Sequence, residues 1–343
     1  MIRLARLAAI VLVVLLVAAA LGGCRAKARG DARRTEQSAS PAATSAATAG
    51  AASPQAATAA SGRSASSGCG SAHAAGASDE TIDVAGVRRT YILRVPPGYD
   101  GSRPVPLVVN LHGAGSNALE QNFYSGFSNK SDTEGFVLLA PNALGTPTSW
   151  NFAGLSREAD DVAFVAAMLD RADAQLCIDT SRVYAAGISS GAAMSVALAC
   201  KLQDRIAAIA PIAGAWYPPG CPKDHPMPVI IFHGTDDPVV KYGGGEGAAI
   251  IPTPPVEETA AKWAAADGCS ATPAVAQPSE HIRVTSYTGC AGGVAVTLYT
   301  VVGGGHTWPG SRVGIDILGT TTQEVNATDE IWRFFTSQPS LVR

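Results

Sequence analysis

The sequence is short of several things at once. Charged residues fill 15% of its 343 positions and aromatic residues 6%, and it has four methionines. It contains no Cys-x-x-Cys and no His-Glu-x-x-His. Neither a structural zinc site nor a zincin-type metal centre is therefore expected, and the chemistry is expected to need no cofactor. The longest apolar run, Leu7–Leu21, falls short of the roughly 20 residues that span a bilayer, so a permanent transmembrane helix is not expected. Basic surface is scarce as well. The whole chain nets -3, but residues 79–343 hold 17 basic against 26 acidic residues. A body of that sign lacks the cationic face that phosphate backbones require, which excludes nucleic acid as a natural partner.

Residues 38–67 lack nearly everything a core needs. Apart from Gln55 and Arg63 they are all Ala, Gly, Ser, Thr or Pro, a composition that cannot bury enough apolar surface to offset the entropy of ordering. Upstream, Met1-Ile-Arg-Leu-Ala-Arg6 gives a basic start, Leu7–Leu21 an apolar core, and Gly22-Gly23-Cys24 small residues before a cut. That is the pattern of a secretory signal. Leu21-Gly-Gly-Cys24 also resembles the bacterial lipobox, whose cysteine is lipidated and becomes the mature N-terminus. Three parts are expected: a lipoprotein-type signal peptide over 1–23, a disordered tether over 24–78 and one folded domain over 79–343. The tether's root-mean-square reach is about 40 Å by the square-root law for Gly/Ser-like coils. The expected product is exported and monomeric, a lipoprotein on the extracytoplasmic side that touches the membrane only through lipid on Cys24.

Setting Cys24 aside leaves six cysteines, an even number that in an exported chain suggests disulfides with 15 possible connectivities. Cys177 lies just before the strand that climbs to the candidate nucleophile and Cys200 ends the helix that descends from it, so these two are expected to pair. Cys269 and Cys290 flank a strand and are expected to close a loop. Cys69 and Cys221 pair by elimination.

Beyond the tether, short apolar runs alternate with helical patterns. Thr90–Val95 reads as an edge strand, and Pro106–Leu111 as a strand buried on both faces. Further strands are expected over 136–140, 182–186, 206–212, 229–232, 281–287 and 294–302. Helices are expected over 161–170, 190–201, 256–267 and 328–336, with Asp160 or Asp161 serving the start of the first. Such alternation implies an α/β domain, a mostly parallel central sheet with helices on both faces.

Gly187-Ile-Ser189-Ser-Gly191 stands between a strand and a helix, which is the order the chemistry demands. A nucleophilic serine on a sharp strand-to-helix turn exposes its oxygen above the sheet, and glycines two positions either side leave room for the chain to double back. Its hydroxyl needs a base, and the base needs an orienting carboxylate. In an α/β-hydrolase these follow in the order Ser, Asp, His, each on a loop at the carboxyl end of a strand. His233-Gly-Thr-Asp-Asp-Pro238 offers Asp236 and Asp237, between which spacing does not decide. Gly303-Gly-Gly-His306 supplies the base; His281, beside Glu280, reads as a surface residue, and His112 as part of a loop. On that loop, Leu111-His-Gly-Ala-Gly115, the N–H of Ala114 is expected to join that of Ser190 in an oxyanion hole.

At this point the sequence resembles the secreted esterases that include polyhydroxybutyrate depolymerases and feruloyl or acetylxylan esterases. The resemblance spans about residues 69–338. It rests on Arg89–Pro96, Pro106–Gly113, the block around Ser189, Asp204–Gly214, His233–Pro238 and Gly304-Gly-His-Thr-Trp-Pro-Gly310. It implies the α/β-hydrolase fold, ester hydrolysis through an acyl-enzyme, and Asp237 rather than Asp236 as the acid beside Ser189 and His306. Where the family often has a cysteine before Trp-Asn, this chain has Ser149, which removes one possible bridge. A base must be neutral to act, so activity is expected to fall below the pKa of the imidazole, near 6.5 for an ordinary histidine.

The stretch Ala215–Met227 is too short for a helical lid domain, which implies an open cleft suited to a bulky or polymeric ester. Trp150 and Trp308 are the expected substrate-binding residues, Trp308 favouring the pocket and Trp150, like Trp216, fitting pocket or core equally; Trp263 and Trp332 fit helix packing. A non-catalytic lipoprotein that binds polymer or carbohydrate would need no such triad. A peptidase of the same fold would be expected to add a propeller or gating domain, of which the sequence shows no sign.

Overall fold

The apolar runs become the middle of a ten-stranded sheet. A computed structural model of the chain describes residues 65–153, 159–221, 225–247 and 252–341. Its strands are β1 (Gly76–Val84), β2 (Val87–Val95), β3 (Val105–Leu111), β4 (Val137–Pro141), β5 (Ile178–Ile188), β6 (Ala208–Ile212), β7 (Val229–Gly234), β8 (Ala274–Ser279), β9 (Ile282–Tyr287) and β10 (Val296–Val301). Their order is β1-β2-β4-β3-β5-β6-β7-β10-β9-β8. From β4 to β10 neighbours run parallel, while β1 and β2 at one end and β9 and β8 at the other add antiparallel strands.

Parallel neighbours require crossovers, and the helices cover both faces of the sheet. They are α1 (Ala118–Ser125), α2 (Phe127–Glu134), α3 (Asp161–Gln175), α4 (Ser190–Lys201), α5 (Val256–Ala266) and α6 (Ala327–Ser337). On one face Phe164 and Leu169 of α3, Met194 of α4 and Trp263 of α5 join Leu107, Val109 and Leu111 in a single cluster. On the other, Phe127 of α2 and Ile331 and Phe335 of α6 join Val108, Tyr184 and Phe232. Both faces of β3 are dry, which is why its sequence reads as an apolar run rather than an alternation. This is the α/β-hydrolase fold. Between β6 and β7 no helix occurs among the described residues.

Two expectations are corrected here. The folded body begins before residue 79: β1 starts at Gly76, Ser66 donates its N–H to Ile178 O at 3.0 Å, and its hydroxyl bonds Leu176 O at 2.5 Å. A segment with the composition of a tether is held because an existing surface supplies its hydrogen-bond partners. The disulfides are Cys69–Cys177, Cys200–Cys221 and Cys269–Cys290, so the expected Cys177–Cys200 and Cys69–Cys221 pairs do not form. The segment at 66–69 docks on the start of β5 and takes Cys177, and the loop after β6 brings Cys221 to the end of α4. Three disulfides suit an oxidising, extracytoplasmic compartment.

Residues 1–23, Cys24 and the tether up to residue 64 lie outside the described residues. Among the described residues no helix is long and apolar enough to cross a membrane.

Candidate active site

Ser189 joins β5 to α4 with φ 58° and ψ -120°, a backbone conformation that costs a non-glycine residue on the order of 1–3 kcal/mol. Its surroundings hold it there. Its N–H bonds Ile212 O at 2.9 Å, and its carbonyl accepts the N–H of Ala193 at 3.1 Å. A side chain at Gly187 would strike the Gly191 carbonyl, and one at Gly191 the carbonyls of Leu111 and His112. Close backbone approach, rather than turn shape alone, therefore demands both glycines.

The Leu111–Gly115 loop lies across from this turn. A Cβ on Gly113 would sit 3.5 Å from the Cβ of Ser189, which puts Ala114 on the loop segment beside Ser189. Ser190 opens α4, and the first N–H groups of a helix have no intrahelical acceptor. His112 is fully buried. Its Nδ1–H donates to Gly113 O at 2.7 Å, while Nε2 accepts the N–H of Ala143 at 3.0 Å. Burial pushes its pKa down to about 4, against smaller opposing effects of the Gly113 carbonyl and Asp161, so the ring is neutral at pH 7.

At the end of β7, Asp237 is buried, and its Oδ2 lies 2.8 Å from His306 Nδ1. Its Oδ1 accepts the N–H groups of Val239 and Val240, each at 2.8 Å. Burial alone would raise this carboxyl, but the charge of His306 and hydrogen bonds from His233 and His306 outweigh it and hold the group well below the ordinary carboxylate range. Asp236 is exposed, and its carboxylate accepts the Thr235 hydroxyl at 3.1 Å. The loops bearing Asp237 and His306 are laced together, with Asp236 N–H on Gly304 O at 2.9 Å, and His306 N–H bonds Leu318 O at 2.7 Å. The structure thus joins His306 to Asp237 and sets Ser189 at the same edge of the sheet. Among the described residues Ser189 makes no side-chain hydrogen bond to His306, a contact that in enzymes of this kind often tightens only with substrate bound.

The two tryptophans expected to bind substrate do not line a cleft. Trp308 is 1% exposed; its ring NH donates to Thr328 Oγ1 at 3.0 Å and its ring stands edge-on to Phe127 at 5.9 Å. Trp150 is 3% exposed, and its ring NH donates to His112 O at 2.8 Å. A buried indole keeps its N–H only where an acceptor waits, and in both cases one does. Trp216 and Phe152 are half-buried, with ring centroids 5.9 Å apart. His281 is exposed, as expected, and pairs with Glu324 rather than Glu280.

One residue of the site was missed in the sequence. His233 is buried, with Nε2 2.7 Å from Val240 O and 3.3 Å from Asp237 Oδ2. Its only sequence signal is a position four residues before the acid, at the end of the same strand.

Fold and sequence place this chain among the carboxylic ester hydrolases of the α/β-hydrolase fold. The model of the family Esterase PHB depolymerase matches residues 89–242. Feruloyl esterase B of Piromyces equi is 31% identical over 242 residues, 67% of this chain and 45% of that protein, so the chain spans less than half the length of this relative. Probable feruloyl esterase C of Aspergillus clavatus is 31% identical over 280 residues, 78% of this chain and 89% of that one. Among solved structures, the acetyl xylan esterase from Aspergillus awamori superposes with a TM-score of 0.53 at 18% identity, covering 76% of this chain and 99% of its own, a likeness of fold. The chain belongs to the family of these feruloyl esterases.

Proposed function

We propose that the protein is an exported serine esterase that cleaves carboxylic esters through an acyl-enzyme, with Ser189, His306 and Asp237 in the roles of nucleophile, base and orienting acid. The observation that carries this reading is the 2.8 Å contact between His306 Nδ1 and Asp237 Oδ2. It keeps the proton on Nδ1 and leaves the lone pair of Nε2 for the serine. In the first step Ser189 Oγ bonds to the ester carbonyl carbon and its proton passes to His306 Nε2. The carbonyl electrons move onto oxygen, where the N–H groups of Ala114 and Ser190 receive them. As the C–O bond to the alcohol breaks, His306 returns the proton to the leaving oxygen. Water repeats the sequence on the acyl-enzyme and frees the acid.

The names of the relatives and the half-buried pair Phe152 and Trp216 favour esters with an aromatic or polymeric acyl part, feruloyl or hydroxybutyrate esters among them. The export signal, the lipid on Cys24 and the low-complexity tether, shortened to end at about residue 64, belong to the same reading. Labelling with a fluorophosphonate tests it: the adduct is expected on Ser189 and is expected to vanish in Ser189→Ala. Labelling that persists in that variant, or none in the wild type, removes the assignment. Release of acid from methyl ferulate, acetylated xylan and polyhydroxybutyrate then ranks the substrates.

A further inference from the structure

The strap formed by residues 142–151 lies along the oxyanion loop and is bonded to it throughout. Ala143 N–H reaches His112 Nε2 at 3.0 Å, Trp150 Nε1–H reaches His112 O at 2.8 Å, and Thr148 Oγ1–H reaches Ser116 O at 2.8 Å. In the other direction Gly115 N–H reaches Thr148 O at 2.7 Å and Ala118 N–H reaches Asn142 Oδ1 at 2.7 Å. The strap in turn is pinned at its two ends by one buried ion pair. Arg89 Nη2 bonds Asp161 Oδ1 at 2.6 Å and Asn142 O at 3.2 Å, and Asp161 Oδ2 accepts Asn151 N–H at 2.6 Å. Arg89 and Asp161 are 2% and 1% exposed, and the guanidinium lies over the Phe164 ring at 4.0 Å.

A buried pair of this kind is a poor source of net stability, because desolvation consumes most of its Coulombic gain. Its geometry supplies something else. The peptide between Gly113 and Ala114 is planar and trans, so its N–H points away from its C=O. His112 Nδ1–H holds that C=O, and the strap holds His112 by both its ring and its carbonyl. The aim of the Ala114 N–H is therefore fixed through His112, then the strap, then Arg89 and Asp161.

We infer that the Arg89–Asp161 ion pair is a remote positioning device for the oxyanion donor on Ala114, acting through the strap at 142–151. This rests on the proposed roles of Ser189 and Ala114 and extends them to residues that touch no substrate. Helix capping at this site belongs to Asp160, whose Oδ1 accepts Ala163 N–H at 2.8 Å, which leaves Asp161 free for the pair.

The test compares Asp161→Asn, Trp150→Phe and Thr148→Val with wild type on a p-nitrophenyl ester, each well below its own melting temperature. Deleting an oxyanion donor outright costs about 10²–10³ in kcat, so mis-aiming one is expected to cost about 10- to 100-fold in kcat for Asp161→Asn, with KM within about twofold. Trp150→Phe keeps the ring and loses only the N–H; it is expected to lose about tenfold in kcat and to combine less than additively with Asp161→Asn, because both act on one element. Arg94→Gln, which breaks the ion pair to Asp132 on α2, serves as the control for general loosening, with a lower melting temperature and unchanged kcat. Should Asp161→Asn not fold, Trp150→Phe and Thr148→Val carry the test. Unchanged kcat in the folded variants, or a loss confined to KM or matched by Arg94→Gln, overturns the inference while fluorophosphonate labelling of Ser189 stands. An unlabelled wild type instead defeats the functional reading itself.

Discussion

His233 Nε2 lies 3.3 Å from Asp237 Oδ2, the same carboxylate oxygen that meets His306 Nδ1 at 2.8 Å. The Asp237 carboxylate is thus held by two imidazoles on one oxygen and by two backbone N–H groups on the other, and it cannot rotate without losing several partners at once.

Asp237→Asn is expected to lower turnover on the order of 10⁴-fold, the scale seen when the orienting acid of a triad is made neutral, and Asp236→Asn to leave it within about twofold. Steady-state kinetics on a soluble ester checks both. The reverse ranking would move the acid to the exposed residue.

The depressed Asp237 carboxyl makes a pH prediction for folding. Its charged form is favoured in the native state, so its contribution is full above the ordinary carboxylate pKa of about 3.9 and drains away as pH falls through the lower native value. Urea denaturation across pH 2 to 7 is expected to show a steeper acid loss for wild type than for Asp237→Asn. Parallel curves would contradict it.

His112 works in the opposite sense from a histidine that gains a partner on charging. Its native pKa is about 4 against an ordinary 6.5, so between those values the unfolded chain binds the extra proton and the native state does not. Stability should rise with pH across that window by about 3 kcal/mol at most, at 1.36 kcal/mol per pKa unit. His112→Gln is expected to flatten this part of the curve, while a slope unchanged from wild type would assign it to other groups.

The Cys69–Cys177 bridge closes a loop with a separation of 108 residues, whereas Cys200–Cys221 and Cys269–Cys290 each close one of 21. On the chain-entropy model the first is worth about 4.7 kcal/mol and each of the others about 3. Replacing Cys69 and Cys177 together with serine is therefore expected to lower the unfolding free energy most. A nonreducing peptide map with Cys177 joined to Cys200 would refute the pairing directly.

What the sequence revealed follows from where side chains must be dry. β3, β5, β7 and β10 have apolar neighbours on both faces and read as runs, and Gly187 and Gly191 are forced by backbone contact, so the strand-to-helix turn at Ser189 was legible. β1 and β8 stayed hidden because they lie at the two ends of the sheet with most side chains in water, and neighbouring strands rather than hydrophobicity order them. α1 and α2 are short, and α2 is polar over most of its length. Trp150 misled because a loop tryptophan next to a site suggests substrate, and only coordinates show that its N–H serves a carbonyl. Arg89 and Asp161 gave no warning, since 72 residues separate them in the chain.

The bridge at Cys69 also sets a direction. It fastens the incoming chain to Cys177, just before β5 begins, while Ser189 follows the far end of that strand; Ile178 pairs with Val105 and Gly187 with Leu111, so the two ends are about 20 Å apart at roughly 3.3 Å per residue of β3. The Cys69–Cys177 bridge and Ser189 thus lie at opposite ends of one strand.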